Sequence, residues 1–404
     1  MCSWILWLCF GIVSGILFSV WINVKEVEGN LILSPTSAKL ALTILAEGTG
    51  GRTRQEILSA LRLPGDNAKI RAISQRTFAS LKLVRSVPQR IENGTEIDTA
   101  TRLWIEQTAK LSANYPRILQ QYYGSDVQLL NFVNAENSAN TINKWVRLVT
   151  REKIQTLVDS GSIGPETRLV LTSALYFKGR WLKSFDKQLT RVRCFYVPNE
   201  PCQNTYFMEN MATYRYAHIP SLDADVIEIP YSVCHGPNEN DQNLRILSKD
   251  LSYVSVSQLL ASLQDTEVFL SVPKFSIESK LDLRSPLIRM GIRDMFEGSS
   301  NLTGIASDNF LRVGSVIQDA KIEVDEDGTI AAAVTGIIII TIIKMDFILT
   351  RSFFQILSGL TIVPFMGSNT QNFKANRPFI FMIVDLETKG TLFSGRIFVF
   401  LNLI

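Results

Sequence analysis

The sequence predicts an α+β domain, and three observations support this prediction. The 404 residues are 46% hydrophobic and 20% charged, which fits a globular protein and excludes a disordered or collagen-like chain. Apolar residues recur at helical spacing in the first half, whereas short strand-like apolar runs dominate the second half. Helices first and strands later favour an α+β arrangement over a doubly wound sheet. Because no repeat or linker divides residues 25–404, we predict a single domain there.

Residues 1–24 are predicted to be a secretory signal peptide or an apolar anchor. Residues 4–24 carry no charge and are almost wholly apolar, as in a signal core, although the usual basic residue before the core is absent. Ser14 and Gly15 offer a cleavage site inside this run. The run is also just long enough to span a membrane. We therefore expect a secreted, extracellular protein, attached to a membrane only if the run stays uncleaved.

The helical half contains three predicted helices that can be placed by their patterns. Residues 37–47 carry apolar positions at helical spacing and end at the glycine-rich segment 48–51. Residues 53–56, Thr-Arg-Gln-Glu, predict a capping box that opens the next helix. Residues 140–158 predict a third helix with one apolar face.

The second half predicts strands and contains the pair of cysteines that could bond. Residues 169–171, 226–231, 268–273 and 380–385 are strand-like. Cys194 and Cys202 flank a turn-rich stretch between two strand-like runs, so they form either a hairpin disulfide or two free thiols.

The sequence gives no motif of an enzyme, a metal site or a nucleic-acid-binding protein. It lacks G-x-S-x-G, H-E-x-x-H and C-x-x-C patterns and has only two histidines. Its 41 basic and 38 acidic residues leave a net charge of +3, which is too small to indicate nucleic-acid binding. We therefore predict no catalytic residue, no metal and no cofactor. Asn93 and Asn301 begin Asn-X-Thr glycosylation sequences, which fit an exported protein.

An acidic turn followed by small residues is the most unusual segment of the chain. Alternate residues of an extended strand share one face, so these small side chains could enter between two existing strands. The alternative is a short helix or an edge strand. The segment comprises Glu326, Asp327, Gly328, Thr329, Ile330, Ala331, Ala332 and Ala333.

A series of motifs in one order makes the chain resemble the serpins, a family of serine protease inhibitors, from about Asn30 to Ile397. The resemblance implies three β-sheets, about eight or nine helices and an exposed reactive loop at about 326–372. It also implies a monomer whose partner is a serine protease. The motifs lie at residues 30–37, 48–53, 142–154, 171–181, 273–275, 290–296, 326–333, 376–381 and 392–396.

The resemblance further implies a mechanism in which the cleaved loop inserts into the central sheet and traps the acylated protease. The hinge fits an inhibitory serpin, although Ile330 replaces the usual acid there. The alternatives are a non-inhibitory binding or carrier serpin and a membrane-tethered or inactive product. The sheet-opening region is predicted to include Ser34, Ser37, Gln318 and Trp181, together with Ser173, which replaces the usual asparagine.

Two departures from the family pattern concern the first helix and the loop. The apolar run stands where the first helix should precede Asn30, and 50 residues separate Gly328 from Pro378, about twice the usual number. The isoleucine run 337–343 is predicted to be exposed and prone to aggregation.

The reactive bond depends on whether residues 336–355 are native loop or a translated intron. Without them the count from the hinge gives Ile362–Val363, with Phe365 and Met366 nearby. With them it gives Ile342–Ile343, with Lys344 and Arg351 as tryptic alternatives. The shorter loop indicates an elastase-like or chymotrypsin-like target.

Overall fold

The computed structural model describes residues 29–83, 96–149, 152, 154–165, 167, 169–178, 180–219, 224–231, 260–307, 313, 315–328, 337–341, 370–385 and 391–400. Its helices are α1 (Pro35–Glu47), α2 (Gly51–Ala60), α3 (Asn67–Leu83), α4 (Asn114–Ile118), α5 (Ala135–Val149) and α6 (Arg284–Arg289). Its strands are β1 (Leu31–Leu33), β2 (Glu96–Glu106), β3 (Asp126–Leu130), β4 (Leu169–Lys178), β5 (Arg191–Phe195), β6 (Gln203–Ile219), β7 (Ala224–Pro230), β8 (Gln264–Pro273), β9 (Phe275–Asp282), β10 (Ser315–Val324), β11 (Ile337–Thr341), β12 (Gln371–Lys374), β13 (Phe379–Asp385) and β14 (Thr391–Ile397).

A five-stranded sheet contains β10, the strand that leads into the acidic segment 325–328. Its strand order is β3-β2-β4-β10-β9. The neighbours β4 and β10 are parallel and stay in register from Val170 opposite Ser315 to Phe177 opposite Ile322. Each of these two strands is antiparallel to its outer neighbour, β2 or β9. The sheet therefore has a parallel seam at β4 and β10, between antiparallel pairs.

A nine-stranded sheet forms the other part of the strand framework. Its order is β1-β14-β13-β11-β7-β6-β8-β12, with β5 paired to β6. The 17-residue strand β6 pairs in succession with β5 over residues 203–207, with β8 over residues 207–216 and with β7 over residues 215–219. Strand β6 therefore connects the strands β5, β8 and β12 to the strands β7, β11, β13, β14 and β1. Two of the three expected sheets are in this way hydrogen-bonded into one.

Helix α1 lies in the core, because its sequence is apolar on nearly every side. Its leucines and Ile44 are buried, as is typical of a helix that is hydrophobic all round. It packs against β14, β4 and β2 and so contacts both sheets. The helix begins at Ser34, whose side chain accepts a hydrogen bond from the Ser37 N–H. The prediction for residues 37–47 is confirmed, with a start two residues earlier.

The predicted capping box at residues 53–56 is wrong. Helix α2 begins at Gly51, after an N-cap glycine that makes no side-chain hydrogen bond. Thr53 is buried inside the helix, where its hydroxyl bonds Asp294 and accepts the Asn301 N–H. Glu56 accepts the backbone N–H groups of Arg293 and Asp294. The pattern that resembles a cap therefore serves long-range contacts.

The helix predicted over residues 140–158 ends at Val149. Asn143 explains part of the difference, because its side-chain oxygen accepts the N–H groups of Leu157 and Val158 and its amide donates to the Val158 carbonyl. These bonds hold the segment after α5 in an irregular path against its own helix. Ile142, Val146 and this segment form an apolar cluster with Val170 of β4 and Ile317 of β10. Helix α5 and the following connection thus cover one face of the parallel seam.

The predicted strands of the second half are confirmed with small changes of bounds, as β4, β7, β8 and β13. Residues 337–341 of the isoleucine run, however, form a strand and not a loop. Strand β11 lies between β7 and β13 and is antiparallel to both, with Ile339 opposite Ile229 and Ile383. The physical reason is that β7 and β13 otherwise present unpaired edges to each other, and a strand with high β-propensity satisfies both.

Candidate functional site

The acidic segment after β10 forms a tight turn. The Gly328 N–H donates to the Asp325 carbonyl over 3.1 Å, and the Asp327 N–H donates to the Asp325 carboxylate over 3.1 Å. Gly328 has a φ of +90°, a conformation that favours glycine because it has no Cβ. The turn reverses the chain at the end of β10, where Gly328 forms an antiparallel bridge with Asp325.

Glu326 is the buried charge that holds this turn. Its side chain contacts the Lys274 ammonium at 2.8 Å and accepts the Thr190 hydroxyl over 2.8 Å. Its carbonyl accepts the Phe185 N–H over 2.9 Å. Burial acts to raise the pKa of Glu326, but the hydrogen bonds from Lys274 and Thr190 outweigh it and hold the pKa below its ordinary value. Glu326 is therefore a buried carboxylate that stays ionised at neutral pH.

Trp181, which follows β4 in the chain, contacts the same turn. Its indole N–H donates to the Asp325 carbonyl over 2.8 Å, and its backbone N–H donates to the Asp327 carbonyl over 3.3 Å. The ring stacks on Tyr231 with centroids 4.7 Å apart. Lys187 completes the arrangement with an exposed ion pair to Asp327 at 2.5 Å. We call Trp181, Lys187, Thr190 and Lys274, which surround the turn, the hinge clamp.

A second set of contacts holds β10 near its middle. The Gln318 side chain accepts the Ser34 N–H over 3.0 Å and donates to the Ser34 carbonyl over 2.9 Å. The Ser34 hydroxyl donates to the Leu392 carbonyl over 2.6 Å. Gln318 and Ser34 are each 1% exposed. This pair, which we call the Gln318–Ser34 lock, joins β10 to the start of α1 through neutral hydrogen bonds.

The structure brings together most of the predicted sheet-opening residues. Ser34, Ser37 and Gln318 meet at the lock, and Ser173 stands opposite Gln318 in the register of β4 and β10. Trp181 lies instead at the hinge clamp, beyond the C-terminal end of β10. The sequence interpretation placed Lys274 and Thr190 among the motifs shared with the serpins but assigned neither of them a role in the site.

The seam between β4 and β10 is geometrically suited to accept one more strand. A strand that continued the reversal of the hinge turn into the seam would be antiparallel to β10 and, because β4 and β10 are parallel, to β4 as well. Its insertion would replace one parallel ladder by two antiparallel ladders, which are somewhat more stable per residue. Since β10 has ten residues, pairing along its whole length needs about ten residues after the turn, Thr329 to Ile338.

Several predicted site residues lie outside the described part of the chain. They are residues 1–24, Asn93, Thr329, Ile330, Ala331, Ala332, Ala333, Ile342, Ile343, Ile362 and Val363. Of the other predictions, Cys194 and Cys202 form a disulfide, which settles the two alternatives for this pair. Asn301 is half-buried, and its side-chain oxygen accepts hydrogen bonds from Thr303.

Searches for a membrane span and for a metal site each gave a negative result within the described residues. No helix in that part of the chain combines the length and the apolar character that crossing a bilayer requires. No group of three or more His, Cys, Asp or Glu side chains in the same part could hold a metal ion.

Comparison with known proteins gives one consistent result. The sequence model of the serpin (serine protease inhibitor) family matches residues 17–399, so the match begins inside the apolar run, before Asn30. An uncharacterized serpin-like protein of Methanosarcina acetivorans is 30% identical over 94% of this chain and 83% of its own length. Antichymotrypsin-2 of Bombyx mori is 31% identical over 91% of each chain.

The structural comparison agrees with the sequence matches. The crystal structure of Serpin48 from Tenebrio molitor superposes with a TM-score of 0.75 and covers 96% of this chain and 97% of its own, at 24% identity. At that identity the likeness establishes the α+β fold with three sheets, two of which β6 joins here.

Proposed function

The chain belongs to the serpin family, and we propose that it inhibits a serine protease by loop cleavage, covalent trapping and loop insertion. Serpins are protease inhibitors and not enzymes. The observation that carries the proposal is the parallel seam of β4 and β10 directly beside the hinge turn. The small residues Ala331, Ala332 and Ala333 follow that turn in sequence, and they suit a segment that must enter a packed sheet.

The energetics of the sheet support insertion as the driving step. The new strand would form two antiparallel sets of ladder hydrogen bonds in place of one parallel set. Each hydrogen bond is worth about 1 kcal/mol net. Insertion of about ten residues would include Ile337 and Ile338, the first residues of β11. Full insertion therefore requires the first two residues of β11 to separate from β7 and β13 in the nine-stranded sheet.

The target that we propose is a chymotrypsin-like or elastase-like serine protease. Candidate bonds at Ile362–Val363 or Ile342–Ile343 present aliphatic side chains to the protease pocket. Antichymotrypsin-2, by its name, acts against chymotrypsin, which supports the same class of target. The choice between the two bonds rests on whether the mature transcript contains codons 336–355.

Secretion and glycosylation are further parts of this proposal. The uncharged apolar run over residues 4–24 supports export, and Asn93 and Asn301 supply acceptor sequences. The test is mass spectrometry of the mature protein, which should lack residues 1–24 and carry glycan. Intact residues 1–24 would favour the membrane-tethered alternative.

The decisive experiment mixes the purified protein with chymotrypsin and with elastase and looks for an SDS-stable complex. Ala331→Arg should abolish the complex while the loop is still cleaved, because an unpaired charge would have to enter the sheet interior. Ile330→Arg is the matched control, since alternate positions face opposite sides of a strand and position 330 would face solvent after insertion. It should trap as the wild type does.

Two outcomes would overturn the proposal. Cleavage of the wild-type loop without any complex would favour the non-inhibitory binding or carrier serpin. Equal trapping by Ala331→Arg and the wild type would remove loop insertion from the mechanism, even if the protein proved to be an inhibitor.

A further inference from the structure

Asp319 is a buried acidic residue at the centre of the parallel seam. It lies in β10, opposite Ala174 of β4 and Lys280 of β9, and only 1% of its surface is exposed. It shares a face of the strand with Ile317, two positions earlier, which packs in the cluster beneath α5 and its following connection. The carboxyl group is therefore enclosed between the sheet and the segment that covers it.

This carboxyl group lacks the partners that a buried charge needs. Within the described residues its Oδ1 has no hydrogen-bond partner, and its hydrogen bond comes from the Ala320 backbone N–H. An ionised carboxylate in such a place is costly unless it is paired.

The nearby lysines are engaged by other carboxylates. On β9, Lys280 pairs with Asp159 of the connection after α5 at 2.7 Å. On β10, Lys321 faces Glu278 of β9 at 3.4 Å and Glu323 at 3.7 Å. The same-face positions of β4 nearest Asp319 in the strand register are Thr172, Ala174 and Tyr176.

These surroundings change the acidity of Asp319. Burial, and secondarily the charge of Glu278, raise the pKa of the Asp319 carboxyl from 3.8 to about 7, although Lys280 and Lys321 act in the opposite direction. The carboxyl thus changes charge within the physiological pH range while the sheet is closed.

We propose that Asp319 is a pH-dependent positioning group for the seam, which keeps β4 and β10 paired while it is protonated and loosens them when it ionises. The carboxyl keeps an ordinary pKa when the seam opens and water reaches it. The closed form binds the proton more tightly, so its stability relative to the open form falls as pH rises from about 4 to about 7 and then levels off. The proposal concerns the seam itself and holds whether or not the protein is an inhibitor.

The test is amide hydrogen exchange of the intact, full-length protein at pH 5.5 and pH 8, corrected for the intrinsic pH dependence of exchange. Peptides from β4 and β10 should lose protection by on the order of tenfold at pH 8, whereas peptides from β6 should not. Asp319→Asn should remove this pH dependence. The matched control is Glu323→Gln, on the same strand face with 41% of its side chain exposed, which should leave the dependence unchanged.

Carbon-13 NMR of aspartate-labelled wild-type protein provides a second measurement that needs only a folded wild type. We expect one carboxyl resonance that titrates near pH 7 and is absent from the spectrum of Asp319→Asn. If the Asp319→Asn protein does not fold, Asp319→Ser is used in its place. Equal pH dependence of exchange in the wild type and the Asp319 variant would overturn the proposal. Titration of every aspartate near pH 4 would overturn it as well.

Discussion

Strand β10 is anchored at two places by opposite kinds of chemistry. The hinge clamp uses ion pairs and an aromatic stack, and its Lys187–Asp327 pair is half-exposed or more on both sides. The Gln318–Ser34 lock uses neutral hydrogen bonds that are wholly buried. The end of β10 is therefore held by charged and partly exposed groups, whereas the lock near its middle is held by neutral groups removed from solvent.

The two anchors should therefore differ in strength and in sensitivity to conditions. An exposed ion pair contributes about 0–1 kcal/mol and is screened by salt. A buried polar group left without its partner costs about 1–3 kcal/mol, and a neutral amide has no charge to titrate or screen. The lock should dominate the stability of the closed seam, and the clamp should tune the departure of the hinge.

The largest expected effect is on the melting temperature and comes from cleavage of the loop, which changes neither anchor. Cleaving the loop with a protease that is not trapped should raise the melting temperature by roughly 10 °C or more, because the inserted strand adds about ten ladder positions on each side. Differential scanning calorimetry of intact and cleaved protein measures the change. A cleaved form that melts with the intact form would show that the seam does not open.

Gln318→Leu should give the next largest effect. It removes the partner of the buried Ser34 backbone N–H and one of the two hydrogen bonds that the Ser34 carbonyl accepts, the other coming from the Ala38 N–H. The free energy of unfolding should therefore fall by about 2–4 kcal/mol. Chemical denaturation at neutral pH measures the loss. Gln188→Leu is the control, because Gln188 is exposed, and a loss of similar size there would contradict the role of the lock.

Glu326→Gln should cost about 1–3 kcal/mol at neutral pH, because Lys274 loses its buried ionic partner. The depressed pKa of Glu326 makes its contribution present above the ordinary value of 4.5 and lost as pH falls through the lower value of the folded protein. The difference between wild type and variant should therefore shrink on acidification. Denaturation curves across this range check it, and a difference independent of pH would assign the effect to packing.

Lys187→Ala should have the smallest effect, at most about 1 kcal/mol, because its pair with Asp327 is exposed. The effect should vanish in 1 M salt, where the screening length is about 3 Å. Paired melting curves at low and high salt measure it. An effect of the same size in high salt would show that Lys187 stabilises the protein by something other than its charge interaction with Asp327.

The local patterns predicted much of the fold correctly. The core helix α1 and the strands β4, β7, β8 and β13 follow directly from apolar periodicity, since burial of a hydrophobic face decides such elements. The cysteine spacing allowed the observed disulfide but did not require it. Ser34 and Gln318, 284 positions apart, were grouped only through the family resemblance, because periodicity contains no information on distant hydrogen bonds.

Composition and short ordered motifs were enough to predict the α+β class and the family, and they revealed the small residues that follow Gly328. Only the tertiary structure decided where polar groups find partners: Thr53 and Glu56 bond across the chain instead of capping α2, and Asn143 ends the helical path after Val149. It also placed residues 337–341 of the isoleucine run between β7 and β13 and buried Asp319 at the seam. The physical reason is that hydrogen-bond satisfaction, strand pairing and desolvation depend on neighbours in space, which local sequence does not specify.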